Sequence, residues 1–307
     1  MGETKALLRM GALALMWGSS FFWIKFGLQA FSPVQLVLAR LVLGALVLLG
    51  LVYLAKDRLP RQRRFWLLIG FAAFFHNALP FLLFAIGEQT VDSGITGVLN
   101  STTPLWVVLI APLFGAGGRL GGARAFGLAI GLAGILLIFA PWHASGLLSW
   151  GAVACLVAAA SYALAFVYEG KYLSGTGVSP VAVAAAQMLV ASGMMLFAVP
   201  VGGLTPIHLS PIAVIAVVIL GAGSTGIAFK LNYQLLESEG AVAASIVGYL
   251  LPVVSVLLGS LFLGETLNLR VIAGMVVVLG GVALTRVKRR PAITPATPPL
   301  AVASVAD

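Results

Sequence analysis

Along this chain, runs of about twenty apolar residues alternate with short polar breaks, almost from one end to the other. A helix needs about 20 mostly apolar residues to cross the hydrocarbon of a bilayer. The runs therefore predict helices over 6–27, 34–55, 65–86, 94–115, 124–141, 149–169, 180–202, 211–235, 241–263 and 271–287. The two-residue alternation of a transmembrane β-strand never replaces them. The pattern predicts an all-α integral membrane protein of ten transmembrane helices. The first run follows Lys5 and Arg9, as in a signal peptide, but continues past Trp17 and Trp23 without a small-residue cleavage site, so it is expected to stay as the first helix. The stretch 291–307 has four prolines among small residues and no apolar period, which predicts a disordered tail.

Composition and charge sharpen this reading. With 61% hydrophobic and 9% charged residues, the chain carries more apolar surface than a soluble domain can hide. A net charge of +9, with five basic residues between Lys56 and Arg64, could suggest a nucleic-acid partner. Basic residues also mark the cytoplasmic side of membrane proteins, and here the loops decide. If the N-terminus is inside, the cytoplasmic segments hold Lys5, Arg9, the Lys56–Arg64 cluster, Arg119, Arg124, Lys171 and the Arg286–Arg290 cluster, fourteen of the eighteen basic residues. The opposite loops hold only Arg270. Both termini are thus expected in the cytoplasm, with the bilayer as partner and no nucleic acid. Cys155 is the single cysteine and lies in an apolar run, so no disulfide or cysteine-based zinc site is available, and neither metal nor cofactor is predicted.

The chain also repeats itself. Ser32-Pro33-Val34 before the second helix recurs as Ser179-Pro180-Val181 before the seventh, an offset of 147, and at that offset Arg40 corresponds to Gln187. Pro104 corresponds to Pro252 at an offset of 148, and Leu132-Ala133-Gly134 resembles Leu279-Gly280-Gly281. Five helices occur twice, over 6–141 and 149–287. An odd number of crossings per repeat inverts the second copy in the bilayer, as in many secondary transporters.

The segment Asn232-Tyr233-Gln234-Leu235-Leu236-Glu237 to Gly240-Ala241, then Leu250-Leu251-Pro252-Val253, Leu263-Gly264-Glu265 and Leu279-Gly280-Gly281-Val282, resembles an EamA domain of the drug/metabolite transporter superfamily. Met16-Trp17-Gly18-Ser19-Ser20-Phe21, Ala39-Arg40 and Thr103-Pro104-Leu105 extend the likeness to the first half. One departure is that Gly264-Glu265 corresponds to the glycine-rich stretch 115–122, which has no carboxylate. The resemblance implies ten helices, cytoplasmic termini, and transport of amino acids, metabolites or drugs, most often outward, through a central cavity.

Polar side chains are costly in hydrocarbon, so the embedded ones are candidate sites. Arg40 lies about six residues into its helix, roughly 9 Å below the boundary at 1.5 Å per residue, and is expected to anchor structure through a partner. Lys25 and Lys230 lie near helix ends, where the ammonium can reach the interface, although Lys230 could also attract a substrate carboxylate. His76 and Asn77 occupy the middle of the third helix beside Pro80, with cavity and packing roles both open. Asn100 and Thr103 share a face with Trp106 around Pro104, and Ser245 and Tyr249 precede Pro252. A proline frees backbone carbonyls, tolerable where a cavity rehydrates them, and interrupted helices in both halves point to a binding site. The predicted substrate site is therefore Trp17, Ser20, His76, Asn77, Asn100, Thr103, Trp106, Tyr162 and Tyr249, with Pro104 and Pro252 as hinges. Ser161 and Tyr168 are further candidates, and the aromatics could equally be packing. Gly127 and Gly131 form a small-xxx-small step expected to pack within a monomer rather than in a homodimer.

An intramembrane enzyme would need a metal-ligand cluster or facing aspartates, and the sequence offers neither. A receptor or scaffold would need a soluble partner-binding domain, and the loops are short. The nine acidic residues fall in tails, loops or at helix ends, which leaves His76 as the intramembrane group able to carry a proton and predicts movement down the substrate gradient.

Overall fold

The computed structural model describes residues 2–91, 93–115, 122–139, 149–263 and 269–285. The Arg286–Arg290 cluster, the tail from Pro291, Asp92, Arg119 and Glu265 lie outside the described residues. Among those described there is no strand, and helices succeed one another with short connections. They are α1 (Gly2–Gly18), α2 (Ser20–Gly27), α3 (Pro33–Leu54), α4 (Arg63–Ala73), α5 (Leu79–Gly87), α6 (Ser93–Asn100), α7 (Thr103–Ile110), α8 (Gly122–Phe139), α9 (Trp150–Tyr172), α10 (Pro180–Gly202), α11 (Pro211–Val218), α12 (Ala228–Ser245), α13 (Val247–Leu263) and α14 (Leu269–Thr285). Several are halves of one span, and seven continuous helices are long and apolar enough to cross a membrane. Two shorter apolar helices, Ala125–Ile138 and Leu269–Thr285, accompany them. Large apolar side chains such as Phe197 and Val201 project outward at 86% and 91% exposure. Small residues fill the interior, where Ala158, Ala159, Ala163, Ala182, Ala184, Ala185 and Ala186 are fully buried.

The two sequence repeats carry the same local devices. Ser32 and Ser179 both cap helices that begin with proline, their hydroxyls accepting from Gln35 N and Ala182 N. Ser32 Oγ also donates to Gly202 O at 2.7 Å, while Ser179 Oγ donates to Asp57 Oδ2, so each cap docks on the far end of the other's helix. A π segment joins α4 to α5 at Phe74–Ala78, and a second joins α11 to α12 at Ile219–Ile227. At the 147-residue offset the first falls inside the second. The widened turns leave carbonyls without their usual helical donors. Trp17 Nε1 reaches Ser224 O at 3.0 Å, and Ser161 Oγ reaches Phe75 O at 2.6 Å, each crossing from one repeat to the other.

Helices α8 and α14 cross with their backbones almost in contact. A Cβ on Gly127 would lie 2.7 Å from Gly281 O, and one on Gly134 would lie 2.9 Å from Gly274 O. Gly127 corresponds to Gly274 and Gly134 to Gly281 at the same offset, so the contact is reciprocal, as at a two-fold axis. The small-xxx-small step predicted at Gly127 and Gly131 is thus consumed inside the chain.

The fourth and ninth predicted helices differ from expectation in where they break. The fourth opens at Ser101–Thr102, and Pro104 starts α7 straight after. In the second half the break is at Ile246, and Pro252 lies inside α13, six residues later. The turn predicted between 235 and 241 is Gly240, whose φ of 83° is a left-handed conformation that glycine adopts without a Cβ clash.

Candidate functional site

Proline lacks an N–H, so Pro104 and Pro252 each leave the carbonyl four residues earlier without its helical donor. Those carbonyls belong to Asn100 and Gly248. Thr103 Oγ1 donates to the first at 2.7 Å, within its own turn, and Ser101 Oγ donates to the second at 3.0 Å, so the two proline sites meet through the Ser101 hydroxyl. Ser101 and Gly248 are themselves 147 residues apart, so equivalent positions of the two repeats touch here.

Beside this meeting point is a cavity with about 640 Å³ of empty space, its open side included. Seven aromatic rings line it: Trp17, Phe21, Phe81, Phe84, Tyr162, Phe166 and Phe229. They interlock edge to face, with Trp17 and Phe229 at 5.9 Å between centroids and Phe81 and Phe229 at 6.2 Å. Polar groups are few: Ser20, Arg40, His76, Asn100, Thr103 and Ser245. An apolar wall with a few converging polar groups is what small-molecule sites use.

Of the side chains predicted from sequence, the fold gathers Trp17, Ser20, His76, Asn100, Thr103 and Tyr162 around this cavity. Asn77, Trp106 and Tyr249 lie elsewhere. Asn77 faces Met188 and Gln187, and Trp106 Nε1 donates to Thr102 Oγ1 at 3.2 Å. Tyr249 is fully buried against Gly131, its hydroxyl donating to Leu128 O at 3.0 Å. Tyr168 stacks on Phe71 at 4.2 Å, away from the lining. The Lys25 ammonium donates to Glu88 O at 2.6 Å and Val91 O at 3.0 Å, at the C-terminal end of α5, where a cation is favoured.

Sequence reasoning missed the phenylalanines, which read as ordinary membrane residues, and it read Arg40 as an anchor only. The guanidinium is 4% exposed. Its Nε donates to Thr225 Oγ1 at 3.1 Å in the second π segment, its Cζ lies 3.9 Å from the Phe81 ring centroid, and it borders the cavity. Gln187, its counterpart, is enclosed instead. Gln187 Nε2 donates to Asn77 Oδ1 at 2.5 Å and to Glu169 Oε1 at 3.1 Å, and Tyr233 donates its hydroxyl to Gln187 Oε1.

The same cluster holds an acidic group that is near a helix end, as expected, but is not exposed there. Glu169 is three residues from the end of α9, yet it is 0% exposed and pairs with His76 Nδ1 at 2.7 Å. Helices α4 and α12 pack against α9, and Gln187 of α10 reaches Glu169. His76 is therefore not isolated in the third span: a buried carboxylate oxygen lies within hydrogen-bond distance of its ring. Glu88 is buried as well, with Oε2 accepting from Ser93 Oγ at 3.3 Å.

Comparison with known proteins agrees with the repeat. The EamA-like transporter family matches residues 4–140 and again 149–287. The uncharacterized transporter YdfC of Bacillus subtilis is 30% identical over 280 residues, covering 89% of this chain and 88% of its own. The uncharacterized inner membrane transporter YedA of Escherichia coli is 30% identical over 266 residues, covering 84% and 82%. A solved crystal structure superposes with a TM-score of 0.74 over 92% of this chain and 98% of its own, at 20% identity, a likeness of fold alone.

Proposed function

Because the chain belongs to the EamA-like transporter family and is a multi-pass membrane transporter, we propose that it carries a small organic molecule by alternating access, as an exporter or a facilitated carrier. In this reading ten helices cross a bacterial inner membrane as two inverted five-helix halves, 6–141 and 149–287, with both termini in the cytoplasm. The reciprocal glycine contact of α8 with α14 and the exchanged π-segment bonds support the inversion. One observation carries the functional reading: the aromatic cavity is lined from both repeats, beside the point where the two proline-freed carbonyls are satisfied. Rearranging either half changes the lining, which is what alternating access requires.

Reconstituted vesicles test it. A panel of amino acids and other small metabolites should include solutes that enter saturably, and Trp17→Ala, His76→Gln, Asn100→Ala and Thr103→Val should weaken their apparent affinity. Unchanged affinity in all four variants would refute the site. Glu169 is enclosed and does not line the cavity, so a pH gradient alone is expected not to concentrate a zwitterionic substrate. Uphill accumulation would assign the His76–Glu169 pair to proton coupling.

A further inference from the structure

Arg40 and Gln187 occupy equivalent positions in the two halves, yet their surroundings differ in one respect. The Gln187 amide is bonded on both its oxygen and its nitrogen, by Asn77, Glu169 and Tyr233. Arg40 presents five N–H donors, of which, among the described residues, Nε alone has a hydrogen-bond partner, the neutral hydroxyl of Thr225. No carboxylate oxygen lies within 4.0 Å of its guanidinium among the described residues. The buried Glu88 carboxylate is engaged instead by the Ser93 hydroxyl, and the Lys25 ammonium bonds the backbone carbonyl of the same residue. The π face of Phe81 supports one side of the guanidinium, and the cavity borders it. A buried cation without an anion is costly, and a guanidinium offers carboxylates a planar fork that a lysine cannot.

We propose that Arg40 is the anchor for the carboxylate of a small organic acid whose apolar body rests among Trp17, Phe81 and Phe229. The assignment rests on the carrier reading and narrows it to anionic or zwitterionic carboxylates. It also gives each transporter one such anchor rather than two, because the equivalent position in the other repeat is already filled by an internally bonded amide. Thr225 is a positioning residue: its hydroxyl holds Nε and leaves the terminal nitrogens unbonded among the described residues.

Three probes of one skeleton separate the possibilities: 3-phenylpropanoate, its amide and 3-phenylpropylamine, titrated against the purified full chain in nanodiscs with tryptophan fluorescence as readout. The acid should bind at least tenfold more tightly than the amide, as expected when a hydrogen bond to a charged group is lost. Arg40→Gln should abolish that preference, and Arg40→Lys should restore it in part. Phe229→Ala should weaken acid and amide alike. If Arg40→Gln does not fold, the acid-to-amide ratio of the unaltered protein still decides. Equal binding of acid and amide, with both weakened by Phe229→Ala, would overturn the anchor and leave the carrier reading standing. Binding by none of the three would count against both.

Discussion

Replacing Gly281 by alanine puts a methyl group where the backbones of α8 and α14 meet. The added Cβ would lie 2.5 Å from Gly131 N, 2.7 Å from Gly127 O and 2.8 Å from Gly131 Cα. All three are backbone atoms, so no side chain can rotate away. An ordinary contact begins near 3.4 Å, and the helices must separate by close to the difference, about 1 Å. Overpacking of this kind costs about 1–3 kcal/mol. Gly280 is the internal control: it is the adjacent residue, exposed, with nothing within 4 Å of the methyl that alanine would add there. At that position alanine should be neutral or stabilising by up to about 1 kcal/mol, from helix propensity alone. Reversible unfolding of the two variants in mixed micelles should therefore separate them by about 1–4 kcal/mol, with Gly281→Ala the less stable. Equal midpoints would mean that α8 and α14 do not pack as described, and the reciprocal contact would fall with them.

His76→Gln and Glu169→Gln should each destabilise the protein by about 1–3 kcal/mol, since each disturbs a buried hydrogen bond and leaves its partner poorly satisfied, and the double variant should cost less than their sum in a thermal double-mutant cycle. Additive losses would refute the pair. Pro104→Ala and Pro252→Ala restore an N–H that competes with Thr103 and Ser101 for the freed carbonyls, and each should slow vesicle uptake several-fold while leaving the amount of folded protein nearly unchanged. Parallel losses of rate and folded protein would make the prolines purely structural. Single cysteines placed between Lys56 and Arg64, with Cys155 replaced, should resist an impermeant maleimide in whole cells and react after lysis. Labelling of whole cells would invert the proposed topology.

Helix positions are readable because a bilayer demands long apolar runs, and the repeat is readable because serine-proline caps and prolines survive as identical short words in both halves. What the sequence conceals depends on which face of each helix turns inward. Tyr249 and Trp106 have the same local spacing as Asn100 and Thr103, yet one packs on Gly131 and the other caps its own turn. Phe81 and Phe229 line the cavity with no local sign that separates them from lipid-facing phenylalanines. Glu169 misleads because distance from a helix end is not depth when neighbouring helices enclose that end. The π segments leave no signature that periodicity can detect, since an extra residue in one turn merely rotates the rest of the helix about its axis.

The inequality between Arg40 and Gln187 has a consequence for energy balance as well as for binding. In a carrier built as proposed, two identical inverted halves would exchange conformations at no net cost, and the inward-facing and outward-facing forms would be degenerate. A guanidinium held by one hydroxyl and an amide locked in a four-residue network lift that degeneracy, because the forms no longer break equivalent bonds. A bias of about 1.4 kcal/mol would place roughly ten molecules in one form for each in the other before any solute arrives. That pair is then one contribution to the resting orientation of the empty protein, alongside the differently placed helix breaks of the two halves.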